Sequence, residues 1–301
     1  MQKTLISIIG STGIGKTKLA IEMAKHFGTE IISCDSRQFF KEMKIGTATP
    51  TDKELAQAKH HFIGHLSVQD YYSIGQYEED ALEKIEEIFE KNDFAVLVGG
   101  SMMYEKAVVE GLNDLPEANA ENQEKLQKIL DEEGLEKLQE ILKNLDEEYY
   151  NVVHKENPRR LLRAIDVIWQ TGRKYSEIIA EPKHKRDFKV VRIGITAPRE
   201  IMYERINLRV DKMLEKGLID EVKSLTKYQN FVPLQTVGYT EIFKYLEGTW
   251  DLDFAVEEIK KNSRRYAKRQ ETWNRKVENV TWLPYDYSEE QLHEILSKIE
   301  K

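Results

Sequence analysis

The stretch GSTGIGKT, Gly10 to Thr17, satisfies every fixed position of the pattern G-x-x-x-x-G-K-[ST]. Glycines at this spacing let backbone N–H groups turn toward anionic oxygens, and a following helix adds its positive end. Gly10, Ser11, Thr12, Gly13, Ile14, Gly15, Lys16 and Thr17 are therefore the candidate phosphate cradle. Within it, Lys16 is expected to reach the terminal phosphates and the Thr17 hydroxyl to sit on Mg²⁺. The apolar run LISII precedes the loop, and KLAIEMAKHF, with a helical period, follows it. That is the strand–loop–helix context the pattern requires.

A second group with chemical potential is Asp35, in EIISCDSRQ, just past another apolar run. P-loop NTPases usually carry an Asp at the end of a later strand, where it helps hold Mg²⁺. Here the matching run, FAVLV, ends in Gly99-Gly100-Ser101 and offers no carboxylate. Ligands of open α/β sheets bind outside the carboxyl ends of the strands, so Asp35 and the loop should face one crevice. Two readings of Asp35 stand: a helix or turn cap, or a base that accepts a proton from an incoming nucleophile. Together with the missing strand-end carboxylate, the pattern points to a phosphate chemistry unlike that of an ordinary NTPase.

The elements that must position these groups follow from periodicity. LISII, EIISC, FAVLV and VVRIGI are continuous apolar or β-branched runs with helical periods between most of them. Such runs read as parallel strands buried on both faces, so the fold class is α/β, a P-loop NTPase-like parallel sheet flanked by helices. From 113 to 185 the character changes to charged segments with Leu and Ile at helical spacing, broken at Gly134. This reads as an inserted all-helical lobe, with 1–112 and 186–301 forming the α/β core.

At 301 residues, 40% hydrophobic and 33% charged, the chain can build a substantial core under a polar surface. No run approaches the ~18 apolar residues of a membrane helix. No signal-peptide pattern precedes the first strand, so the expected location is the cytoplasm, without membrane attachment. One cysteine, Cys34, excludes an internal disulfide and reads as a small buried strand residue. The net charge of −8 argues against bulk nonspecific nucleic-acid binding. Against it stand three basic runs: NPRRLLRAIDV, KHKRDFKVVR, and KKNSRRYAKRQETWNRK, the last interleaved with Tyr266 and Trp273. Each is either a solvated face or part of a phosphate-binding surface. His60, His61 and His65 cluster without a closed set of metal ligands.

The chain resembles the tRNA dimethylallyltransferases, also called tRNA isopentenyltransferases. GSTGIGKT, ISCDSRQFFKEMKIGTATP, VGGSMMY, NPRRLLRAIDV, ERINLRVDKMLEKGLIDEV, TVGYTEI and RRYAKRQETW occur in family order across nearly the whole chain. The resemblance implies transfer of a dimethylallyl group from dimethylallyl diphosphate to N6 of the adenosine 3′ to the tRNA anticodon. It implies that the helical lobe grips the anticodon arm. The catalytic set becomes Asp35 as base, with Lys16, Thr17 and Arg209 on the leaving diphosphate and Mg²⁺ on Thr17. Arg205, one turn before Arg209, joins the diphosphate clamp; without the resemblance, the pair reads as surface bridging to Glu200, Glu204 or Asp211.

The implied tRNA contacts are Asp35, Ser36, Arg37 and Gln38, then Ser101 and Gln123. Arg159, Arg160, Leu161, Leu162 and Arg163 are to hold the RNA backbone. Gln235, Thr236, Val237, Gly238, Tyr239 and Thr240 are to line the path of a flipped adenosine, with Tyr239 as a stacking face. The chain departs from the family at Thr49, Ser101 and Gln123, where Lys, Thr and Arg are common. A monomer is expected, since no exposed apolar seam is evident. Three other readings remain: prenylation of free adenine nucleotides, a small-molecule P-loop kinase, and a non-catalytic tRNA-binding paralogue.

Overall fold

The structure, a computed structural model, describes residues 2–300. The chain forms two compact units, one of residues 1–109 and 186–301, the other of residues 110–185.

The first unit is built on a six-stranded, all-parallel sheet of order β3-β2-β4-β1-β5-β6. Its strands are β1 (Thr4–Gly10), β2 (Ile31–Ser33), β3 (His60–His61), β4 (Phe94–Val98), β5 (Lys189–Thr196) and β6 (Val280–Pro284). Between β1 and β4 run α1 (Lys16–Phe27), α2 (Asp52–Leu55) and α3 (Ile74–Phe89), and α4 (Met102–Glu110) follows β4. All seven residues of β1 are buried. Side-chain alternation sends Leu5, Ala95 and Leu97 into one apolar cluster, and Ile6, Ile8, Val96 and Val98 into another. The expected doubly covered parallel sheet is therefore present. Two strands escaped the sequence reading: β3 is only two residues long, and β6 has two exposed residues among its five.

The second unit contains α5 (Ala120–Glu133), α6 (Leu135–Leu145), α7 (Glu147–Val152), α8 (Pro158–Thr171) and α9 (Tyr175–Ala180). Leu126, Leu138, Leu142, Leu161 and Ile165 are fully buried in its core. Local chemistry sets its joints. Gly134, at φ +82°, separates α5 from α6, and Asn157 caps α8 ahead of Pro158. The buried Asp146 carboxylate accepts from the Tyr149 amide at 3.0 Å and from the Ser176 amide at 2.7 Å, tying α7 to α9.

After β5 the first unit continues with α10 (Arg199–Glu215), α11 (Leu218–Ser224), α12 (Tyr239–Leu246) and α13 (Leu252–Asn274), and closes with α14 (Glu289–Ile299). Among the described residues no helix is long and apolar enough to cross a membrane.

Candidate active site

The phosphate loop leaves β1 at Gly10, where a Cβ would meet the Ile195 carbonyl oxygen at 2.9 Å, and enters α1 at Lys16. Gly13 and Gly15 adopt φ of +75° and +117°, a region that favours glycine. Lys16 Nζ donates to the carbonyls of Gly10 at 3.0 Å and Ser11 at 2.9 Å. Burial pulls its pKa down to about 8, against an opposing pull from Asp35. From α10, Arg209 donates to Thr12 Oγ1 at 2.8 Å and to the Thr47 carbonyl at 3.0 Å; burial lowers its pKa too. Neither cation forms an ion pair with a carboxylate among the described residues. Asp211, a sequence candidate for bridging Arg205 and Arg209, bonds Lys260 at 2.8 Å instead. Arg205 is exposed, with Nε on the Gly13 carbonyl at 3.1 Å.

Asp35 stands where β2 ends. Its Oδ1 accepts from the Arg37 amide at 3.2 Å, so the capping reading holds for one oxygen. Its Oδ2 lies 3.0 Å from where a Cβ on Gly100 would sit, and a Cβ on Gly99 would lie 2.6 Å from the Asp35 amide nitrogen. The missing carboxylate after β4 thus has a steric reason: Asp35 of the neighbouring strand occupies that space. Ser101 Oγ accepts from the Ser36 amide at 3.0 Å and lies 2.9 Å from Ser36 Oγ.

Two cavities meet at these residues. One, about 250 Å³, is lined by Lys16, Thr17, Asp35, His60, Arg205 and Arg209 among others. The second, about 260 Å³, is lined by Ser36, Arg37, Ser101, Thr236, Val237, Gly238 and Tyr266 among others. Thr12, Asp35 and Arg209 line both. The first cavity is cationic at one wall, and His60 is among its lining residues. His60 Nδ1 faces the Ala58 carbonyl at 2.8 Å and so carries the proton, leaving the Nε2 lone pair buried without a partner. His61 instead bonds Glu30 at 2.5 Å, and His65 packs edge-on to Phe39. No metal-holding group of three His, Cys, Asp or Glu occurs among the described residues.

Three of the expected RNA-contact residues have buried side chains. Tyr239 is fully buried, with its ring against Gly46 and its hydroxyl 2.6 Å from Glu221, so it offers no stacking face to a nucleotide. Leu161 and Leu162 are core residues of the helical unit, 0% and 8% exposed, because α8 turns that face inward. Their side chains therefore do not meet RNA. Arg159 and Arg160 are exposed, whereas Arg163 bonds the buried Asp166 at 3.2 Å and the Pro116 carbonyl. Gln123 is half-buried on α5. Gln38 is turned to structure as well as to the cavity, donating to the carbonyls of Thr47 and Ala48 at 3.3 Å each. Gln235 is exposed and bonds the Gln229 carbonyl, while Thr240 bonds Thr236 and Glu241.

Sequence reasoning missed Gln270 and read Tyr266 only as an aromatic within a basic run. Gln270, 1% exposed, accepts from the Thr12 amide at 2.8 Å and donates to the Gly100 carbonyl at 2.7 Å, where Tyr266 also donates at 2.9 Å. Their i, i+4 spacing on the otherwise basic α13 was the available signal. The groove beside them, about 420 Å³, is lined by Arg265, Lys268, Arg269, Thr272, Trp273 and Lys276.

Comparison with known proteins places this geometry. The profile described as IPP transferase matches residues 38–277. A tRNA dimethylallyltransferase of Christiangramia forsetii is 49% identical over 300 residues, covering 99% of each chain. The tRNA dimethylallyltransferase 1 of Bacteroides thetaiotaomicron is 45% identical, over 93% of this chain and 91% of that one. The crystal structure of the full-length tRNA isopentenylpyrophosphate transferase from Bacillus halodurans superposes with a TM-score of 0.73 at 35% identity, over 99% of this chain and 96% of that one. A eukaryotic dimethylallyltransferase captured acting on tRNA reaches 0.85 at 27% identity, over 99% of this chain and 78% of that one. With a family model that matches most of its length and relatives that match it nearly end to end, this chain belongs to the IPP transferase family.

Proposed function

We propose that this chain transfers a dimethylallyl group from dimethylallyl diphosphate to N6 of the adenosine 3′ to the tRNA anticodon, releasing diphosphate. One observation carries the reading: Thr12, Asp35 and Arg209 line both a cationic cavity and a neighbouring cavity that opens onto Thr236–Gly238. Donor and acceptor can then meet at Asp35 from opposite sides. Lys16 and Arg209, bonded only to neutral oxygens, are the groups an incoming diphosphate pairs with.

In the reaction the C1–O bond to diphosphate breaks as the N6–C1 bond forms. Negative charge builds on the leaving oxygens, which the loop amides, Lys16 and Arg209 would stabilise. N6 gains a bond and must lose a proton, which the Asp35 carboxylate takes. Ser101 and Ser36 stand on the acceptor side as hydrogen-bonding groups for the base or its amine.

Mg²⁺ fits the residues present. The cation keeps several waters and binds largely through substrate phosphates, so one protein hydroxyl, Thr17, is a sufficient anchor. His60, whose Nε2 is buried without a partner, also lines this cavity. When bound, the ion adds positive charge to the leaving diphosphate.

On the helical unit, Arg159 and Arg160 present exposed guanidinium groups to RNA phosphates. Incubation with labelled dimethylallyl diphosphate and either unmodified tRNA or AMP tests the reading. Label in tRNA supports it; label in AMP alone, or ATP hydrolysis without prenyl transfer, overturns it.

A further inference from the structure

Glu221, on α11, lines neither cavity, yet its carboxylate collects three donors. Oε2 accepts from the Ile45 amide at 2.7 Å, and Oε1 from the Gly46 amide at 2.9 Å and from the Tyr239 hydroxyl at 2.6 Å. No cation pairs with it among the described ion pairs. A carboxylate that accepts two successive backbone amides fixes the path of that backbone. The loop also runs close against Tyr239, since a Cβ on Gly46 would lie 2.5 Å from the ring.

One residue further on, the Thr47 carbonyl accepts from Arg209 Nη2 at 3.0 Å. That bond and the one to Thr12 Oγ1 set the plane of the guanidinium. We infer that Glu221 is a positioning residue for the donor clamp: through Ile45, Gly46 and Thr47 it holds Arg209 in the orientation that receives the diphosphate. The inference rests on the proposed diphosphate site.

The test measures binding of inorganic diphosphate with Mg²⁺ by calorimetry, and steady-state KM for each substrate. Glu221→Gln keeps the side-chain volume but turns an amide NH₂ or a single oxygen toward two N–H groups. It should weaken diphosphate binding and raise the donor KM about tenfold, with the tRNA KM changed less than about twofold. Tyr239→Phe removes one of the three donors and keeps the ring, so it should weaken diphosphate binding about threefold. Unchanged diphosphate affinity in folded Glu221→Gln overturns the inference, as do equal losses for both substrates, the mark of a general structural role. If Glu221→Gln does not fold, unchanged affinity in Tyr239→Phe overturns it. A wild-type protein that binds no diphosphate overturns the site reading, and this role with it.

Discussion

Gln270 Oε1 accepts a hydrogen bond from the Thr12 amide at 2.8 Å across 258 residues of sequence, fastening the phosphate loop to α13. Its amide nitrogen donates to Gly100 at 2.7 Å, so one buried side chain joins the loop after β1 to the turn after β4. Replacing Gln270 by Leu strands a buried N–H and leaves the Gly100 carbonyl with Tyr266 alone. Thermal or denaturant unfolding should report a loss of about 1–3 kcal/mol. Donor kcat/KM should fall as well, because Thr12 also orients Arg209.

Asp35 is assigned the proton-accepting step. Asp35→Asn keeps the bond to the Arg37 amide possible while removing the base, so kcat should drop about 10²–10⁴-fold. Diphosphate affinity should hold or rise, since a negative charge facing Lys16 and Arg209 is gone. Single-turnover transfer and calorimetry on the same protein separate the two effects.

Lys16 predicts a pH dependence. Its pKa is lowered to about 8 by burial, so the free protein carries the cation below that pH and loses it above. Donor kcat/KM should therefore fall as pH rises through about 8. In the empty protein the sign for stability is opposite: the unfolded chain holds this proton up to the ordinary lysine range. Burial of Lys16 therefore costs stability below about pH 8, a cost relieved between the lowered and the ordinary pKa. Diphosphate binding favours the charged form and should shift the break upward, as a titration of donor affinity against pH would record.

Arg159 and Arg160 are expected to act on RNA alone. Substituting both by Ala should raise the tRNA KM and reduce the salt slope of tRNA binding by roughly 0.7–0.9 for each phosphate no longer neutralised. Diphosphate affinity should stay as in the wild type. Filter binding across a salt series measures the first, calorimetry the second.

What was legible in the sequence was local. GSTGIGKT is legible as a phosphate-loop pattern because its eight residues are neighbours in sequence, and the apolar runs declare strands because β1, β2 and most of β4 are buried on both faces. The absence of a carboxylate after FAVLV was visible, but its cause was not, because Asp35 fills the space from another strand. Tyr239 read as a stacking face because sequence cannot show which side of a helix meets Glu221. Leu161 and Leu162 sat between arginines in a motif, yet the helical period of α8 turns them into the core. Gln270 and Glu221 stayed hidden because their partners, Thr12 and the Ile45–Gly46 backbone, are far away in the chain.

The central claim is that one chain carries a prenyl group from diphosphate to a tRNA adenosine through Asp35. It is tested most directly by nucleoside mass spectrometry of unmodified tRNA incubated with dimethylallyl diphosphate, Mg²⁺ and either wild-type or Asp35→Ala protein. The account predicts N6-dimethylallyladenosine, confined to the anticodon-loop fragment, with the wild type and its near absence with the variant. Unchanged adenosine with the wild type, or equal product with Asp35→Ala, would contradict it.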